Sequence, residues 1–167
     1  KATDVPSARI TQIVFSGLIR FDRKSSITPD LCERWEVPNN KTYIFYLKKG
    51  VKFHNGEELK ASDVKYTFES IMDPRFKSPL SGSFTFLRQI KIIDDYTIEF
   101  QLNDPYAPFL DSMSVGIVPK KYGEKLGESF GENPIGTGPF KINKILPDES
   151  IILEANESYF EGKPKIK

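Results

Sequence analysis

Residues 42–48, TYIFYLK, constrain the fold more than any other stretch of this chain. Aromatic and β-branched side chains follow one another there, so the run reads as a strand. Tyr43, Phe45 and Leu47 alternate with Ile44 and Tyr46. Both faces are apolar, and the expectation is a strand covered on both sides. Pro38-Asn39-Asn40-Lys41 is a turn signal, with a short strand at 35–37 before it. Lys49-Gly50, a short piece at 51–53 and the turn His54-Asn55-Gly56 come after it.

Two more hairpins follow from the same logic. Residues 90–93 and 97–102 flank Asp94-Asp95-Tyr96; Ile98, Phe100 and Leu102 alternate with Thr97, Glu99 and Gln101, giving one dry and one wet face. Residues 140–145 and 150–154 flank Pro147-Asp148. Helical spacing appears elsewhere. Ile10, Ile13, Val14 and Leu18 predict a helix over 7–18, opened by Asp4-Val5-Pro6-Ser7. Val64, Phe68 and Ile71 predict one over 62–72, stopped by Asp73-Pro74. Residues 76–86 read as a loop with a short helix before Leu87, 109–113 and 119–126 as short helices, 131–138 as a glycine-rich loop, and 156–167 as polar and extended. Antiparallel hairpins with segregated short helices define the α+β class.

The chain has 167 residues, one ordinary domain or two very small ones. At 38% hydrophobic and 28% charged its composition is globular. The 24 basic and 23 acidic residues leave a net charge of +1, which gives no electrostatic case for nucleic acid. No run of eighteen apolar residues is present.

Catalytic chemistry is thin. Cys32 and His54 are the only cysteine and the only histidine, and neither sits in a local catalytic signature, so no catalytic residue is assigned. Cys32 cannot form an internal disulfide and reads as a small buried hydrophobe beside Leu31 and Trp35. His54 with Glu57 and Glu58 lacks a second His or Cys, so no metal site is assigned and no cofactor is expected. Asp94-Asp95 is a turn signal before it is a calcium site. Gly136-Thr137-Gly138 lacks the Lys-Ser/Thr ending of a phosphate loop, and Pro139 follows it; it reads as a tight corner into the strand at Phe140. The aromatics of residues 83–87, SFTFL, belong to a core or line a ligand cleft, and the sequence leaves both open. His54 reads as a turn residue, bonded to Glu57 or Glu58.

Several segments, in order, resemble one family. Leu31-Cys32-Glu33-Arg34-Trp35-Glu36-Val37 resembles L-A-E-x-W-E-V, and 42–56 resembles T-Y-x-F-x-L-R-K-G-V-K-F-H-D/N-G. Residues 59–68 resemble L-T-A-x-D-V-x-Y-S-F, 95–100 resemble D-x-T-x-x-F, 133–140 resemble N-P-V/I-G-T-G-P-F/Y, and 153–160 resemble L-E-x-N-x-x-Y-W/F. The chain is similar throughout to the extracellular solute-binding proteins of the oligopeptide/dipeptide/nickel class (family 5), the capture subunits of ABC importers. Cys32 stands where the family usually has Ala. Lys60 stands where it has a capping Thr, so Ser62 takes over as cap or the helix start frays.

That resemblance implies the rest. The fold would be the extra inserted domain plus part of the N-terminal lobe of a periplasmic binding protein-like fold, an N-terminal fragment of a longer protein. Residues 1–21 and 127–167 would be pieces of the main lobe and 22–126 the small inserted domain. Two lobes would close on a peptide or a related small solute, held by strand addition, and deliver it to ABC permease subunits. Thr3, Asp4 and Val5, through main chain, and Leu80 and Ser81 would touch ligand; many relatives carry Tyr at the position of Leu80. The location would be the periplasm or the extracellular face of the cytoplasmic membrane, free or as a lipoprotein. Membrane contact would come only through an anchor outside these residues or through permease docking. An extracytoplasmic sensor or adaptor, or a metal-chelate or haem binder of the same family, is the alternative. Strand edges in 140–154 would be open to self-association.

Overall fold

The computed structural model describes residues 5–76, 78–146 and 150–166. Thr3, Asp4 and the turn at Pro147-Asp148 lie outside them. In chain order the elements are α1 (Val5–Val14), β1 (Ile19–Phe21), β2 (Ile27–Pro29), β3 (Cys32–Asn39), β4 (Thr42–Leu47), α2 (Ala61–Met72), β5 (Leu87–Asp94), β6 (Thr97–Leu102), α3 (Phe109–Ser112), α4 (Lys120–Leu126), β7 (Phe140–Leu146) and β8 (Ser150–Ala155). Short 3-10 turns occupy Pro74–Phe76, Ser81–Phe84 and Gly127–Glu132.

The centre is an antiparallel sheet in the order β3-β4-β6-β5. Phe45 pairs with Ile98 across β4 and β6, and Ile90 with Phe100 across β5 and β6. These positions share the inner face, on which α2 lays Val64 and Phe68. Phe100 is the hub: its ring meets Phe45 edge-on at 5.7 Å, Phe68 at 5.2 Å and Phe109 at 5.8 Å. Each such ring contributes about 1.5–3 kcal/mol through burial, and edge-to-face pairing adds about 0.5–1.5 kcal/mol per pair. Phe84 is buried against Phe68 and belongs to the core, while Phe86 packs on the same cluster only partly buried and also lines an open hollow of about 400 Å³ with Tyr106.

The sheet departs from expectation on its outer face. Ile44 and Tyr46 remain half-exposed, so β4 is covered on one side only. Their cross-strand neighbours are Arg34, Glu36, Glu99 and Thr97. The Arg34 guanidinium lies 3.6 Å over the Tyr46 ring, and the Tyr46 hydroxyl donates to Glu36 at 3.1 Å. Long charged side chains shield the apolar atoms, and no second layer is needed.

Helix α1 also stops earlier than its periodicity predicts. Residues 16–18 leave the helix to pair with tertiary neighbours: the Ile117 N–H donates to the Ser16 carbonyl at 2.9 Å, Leu31 N–H to Gly17 at 3.0 Å, and Leu18 N–H to Met113 at 3.0 Å. A Cβ on Gly17 would sit 2.6 Å from the Ser114 backbone, so glycine allows the approach. Leu18 is buried, but as part of this extended insert. The β1–β2 hairpin is unheralded in the sequence; the Asp22 carboxylate holds its turn by accepting from Lys24 and Ser26 N–H. Residues 156–162 form successive turns rather than an extended tail.

Helix α2 begins at Ala61, and neither Ser62 capping nor fraying occurs. Asp63 reaches back from the first turn, its Oδ2 accepting the Lys60 N–H at 2.8 Å, while its Oδ1 accepts the Lys120 N–H at 2.8 Å. One buried carboxylate thus fixes the starts of α2 and α4 together.

Candidate functional site

The sequence-predicted ligand residues fall on two elements. Val5 is the first residue of α1, which packs on β7. Leu80 and Ser81 open the 3-10 turn that packs on α2. Leu80 is 43% exposed and Ser81 is exposed. Ser78 shapes the loop: its Oγ accepts the Leu80 N–H at 3.2 Å and its carbonyl the Ser81 N–H at 3.1 Å.

Ser78 also lines an apolar recess of about 230 Å³ with Tyr66, Ile71, Phe76, Val118 and Phe130. Phe130 stacks obliquely on Phe15 at 6.5 Å, just beyond the end of α1. Through Phe130 the recess beside Ser78 meets the chain leaving α1. The recess has few polar atoms and suits an apolar side chain, and its lining residues include no His, Cys, Asp, Glu or Lys to activate a hydroxyl. Phe130 and Tyr66 were not singled out as site residues from the sequence; there each is an aromatic indistinguishable from core, and the approach of Tyr66 to Gly123 exists only in the fold.

His54 is not a simple turn residue. Its bonds go to the loop at 136–138, not to Glu57 or Glu58. The His54 N–H donates to the Gly136 carbonyl at 2.9 Å. On the ring, Nδ1 accepts the Gly136 N–H at 3.3 Å and Nε2 faces the Gly138 carbonyl at 3.0 Å. Burial holds the imidazole below its ordinary value of 6.5. Glu57 serves the turn itself by accepting from Asn55 Nδ2 at 3.0 Å. The loop docks on α1: Gly138 N–H donates to Val14 at 2.9 Å, and Asn156 Nδ2 donates to the Gly138 carbonyl at 3.0 Å.

Cys32 lies fully buried opposite Leu47 in the β3–β4 ladder, and burial pushes its thiol up to about 11. A protonated thiol in the core and a ring spent on backbone groups do not make a nucleophile–base pair. Among the described residues, no group of three or more His, Cys, Asp or Glu side chains is arranged to hold a metal ion, and Asp94 is engaged with the Tyr96 N–H at 2.8 Å. No described helix is long and apolar enough to cross a membrane.

One charged cluster stands apart. Arg20 pairs with Glu161 at 2.6 Å and approaches Asp30 at 3.6 Å, beside an open hollow of about 470 Å³ that Tyr159 and Gln12 also line. Asp30 is 5% exposed, and its Oδ1 has no hydrogen-bond donor among the described residues. Burial pushes this carboxyl up to about 6, against the pull of Arg20. Glu161 is held below the usual carboxylate range by its bond to Arg20.

Comparison with known proteins places this fold among receptors for small solutes. The family model for bacterial extracellular solute-binding proteins, family 5 (Middle), matches residues 26–167, and the chain belongs to that family. It is 34% identical to di/tripeptide-binding protein 4 of Pseudomonas aeruginosa, over 93% of this chain and 34% of that protein. The structure of NikZ from Campylobacter jejuni in complex with Ni(L-His) superposes with a TM-score of 0.87 at 34% identity, covering 91% of this chain and 32% of that one. AppA from Bacillus subtilis in complex with a nonapeptide gives a TM-score of 0.87 at 30% identity, covering 98% and 34%. The chain therefore spans about a third of the length of the proteins it matches.

Proposed function

We propose that this chain is part of the substrate-binding component of an ABC import system, which captures peptides or a related small solute outside the cytoplasmic membrane and delivers them to permease subunits. The observation that carries this reading is the likeness, over 98% of the chain, to AppA in complex with a nonapeptide. Binding, not bond-making, is the role: the ligand backbone adds as a strand and its side chains fill pockets. In this reading Thr3, Asp4 and Val5 meet the ligand through main chain, and Leu80 and Ser81 also touch it, with the apolar recess lined by Ser78 close by in the chain. Residues 22–126 form the small inserted domain, and 1–21 and 127–167 belong to the main lobe. The protein works in the periplasm or at the outer face of the membrane, free or lipid-anchored.

The family's range favours one second reading. NikZ was solved with Ni(L-His), so a metal chelate is the rival solute. Native mass spectrometry of the gently purified protein separates the two. Retained masses of di- to oligopeptides support the first reading, and a retained nickel–ligand mass supports the second. Turnover of a peptide, with cleaved products appearing over time, would contradict both.

A further inference from the structure

The partners of His54 dictate its protonation. A carbonyl oxygen only accepts and an amide N–H only donates. The ring therefore carries its proton on Nε2, toward Gly138, and keeps the Nδ1 lone pair for the Gly136 N–H. A second proton on Nδ1 would set donor against donor. That removes one of the three bonds between His54 and the loop and adds repulsion at the site of the lost one, while the Gly138 bonds to Val14 and Asn156 remain.

The loop in turn fixes α1. Gly136 and Gly138 lie so close to it that Cβ atoms there would sit 2.2 Å from the Val14 carbonyl oxygen and 2.3 Å from that of Ile13. The Gly138 N–H bond to the Val14 carbonyl at 2.9 Å ties the loop to α1, so a displaced loop strains the end of that helix.

Among the described residues, no free carboxylate faces the ring. Lys141 on β7 opposes a positive charge on it, and Lys52 lines the same hollow of about 560 Å³. The carboxylates there are committed elsewhere: Glu154 to Lys141 at 2.8 Å, Glu157 to Lys163, and Glu57 to Asn55.

We infer that His54 is a proton-sensitive positioning residue: its neutral ring latches the 136–138 loop onto α1 and so sets the helix whose first residue is Val5, and acid releases the latch. The link to ligand rests on the function proposed above; the latch itself does not.

Nitrogen NMR of the ring and exchange of the Gly136 amide, followed from pH 8 to pH 4.5, test the latch on the 167-residue chain. The Nε2–H tautomer is expected at pH 8. Gly136 protection is expected to fall as the ring takes its proton, with a midpoint below 6.5. In His54→Gln, whose amide can donate and accept but does not take up a proton in this range, Gly136 protection should show no acid step. A proton on Nδ1 at pH 8, or Gly136 protection unchanged while His54 titrates, overturns the inference. The ligand link is read in a chimera in which this chain replaces the matching segment of AppA. Peptide affinity should drop in the parent chimera as the pH falls through the His54 titration seen in the spectra, and stay flat with His54→Gln; equal pH dependence in both overturns it. A chimera that binds no peptide at any pH contradicts the proposed function, while the spectra still decide the latch.

Discussion

Gly138 lies against the last turn of α1 so closely that a Cβ at this position would stand 2.3 Å from the carbonyl oxygen of Ile13. The obstructing atoms are backbone, which cannot swing aside. Gly138→Ala is therefore expected to cost about 3 kcal/mol, at the upper end of overpacking effects. Gly82→Ala, which meets nothing within 4 Å, is expected to stay within about 0.5 kcal/mol of the parent. Urea unfolding of the two variants checks this; equal midpoints would show that the loop does not dock as described.

Asp30 gives the stability a distinctive pH dependence. Its folded carboxyl is pushed up to about 6 by burial, against 3.8 in the unfolded chain. The folded state thus holds the proton more tightly, so this group lowers stability as pH rises from 3.8 toward 6, and the full cost remains above 6. The gap corresponds to about 3 kcal/mol. Asp30→Asn, which cannot ionise, should gain stability relative to the parent by about that amount between pH 3 and pH 8. A difference between the two proteins that stays constant across this range would refute the assignment.

Burial of Cys32 predicts chemical silence. With its thiol up at about 11 and no exposed surface, it should resist a small thiol reagent at pH 8 in the folded chain and react at once in denaturant. Rapid labelling without denaturant would place the cysteine at the surface and reopen a catalytic role.

The β7–β8 ribbon carries Ile151 and Ile152 at 37% and 44% exposure. A two-stranded ribbon with exposed branched side chains is a template for further pairing. We expect the 167 residues to self-associate at high concentration and Ile152→Lys to reduce it, both read by light scattering. A clean monomer at every concentration would count against open edges here.

Much of this fold was legible because local and tertiary preferences agree. The 97–102 alternation gave β6 its bounds and its buried face, and Val64 and Phe68 placed α2 on the sheet. The failures have specific causes. Leu18 continues the helical spacing but is claimed by Met113, a contact 95 residues away in the chain that no local pattern announces. Ile44 and Tyr46 looked doubly buried because the sequence does not reveal that Arg34 and Glu36 lie across from them. His54 was read as a turn residue; its true partners, Gly136 and Gly138, are more than eighty residues downstream. The proposed ligand residues were reached by resemblance alone. Leu80 and Ser81 look like any exposed loop pair, and nothing local marks Phe130 as part of a recess.

The central claim is that these residues form one wall of a solute clamp. Calorimetry with a nonapeptide tests it most directly, comparing the 167-residue chain alone with the AppA chimera that carries it. The account predicts no measurable heat of binding to the chain alone and micromolar or tighter binding to the chimera. A folded chimera that fails to bind the peptide, or micromolar binding by the chain alone, would contradict it.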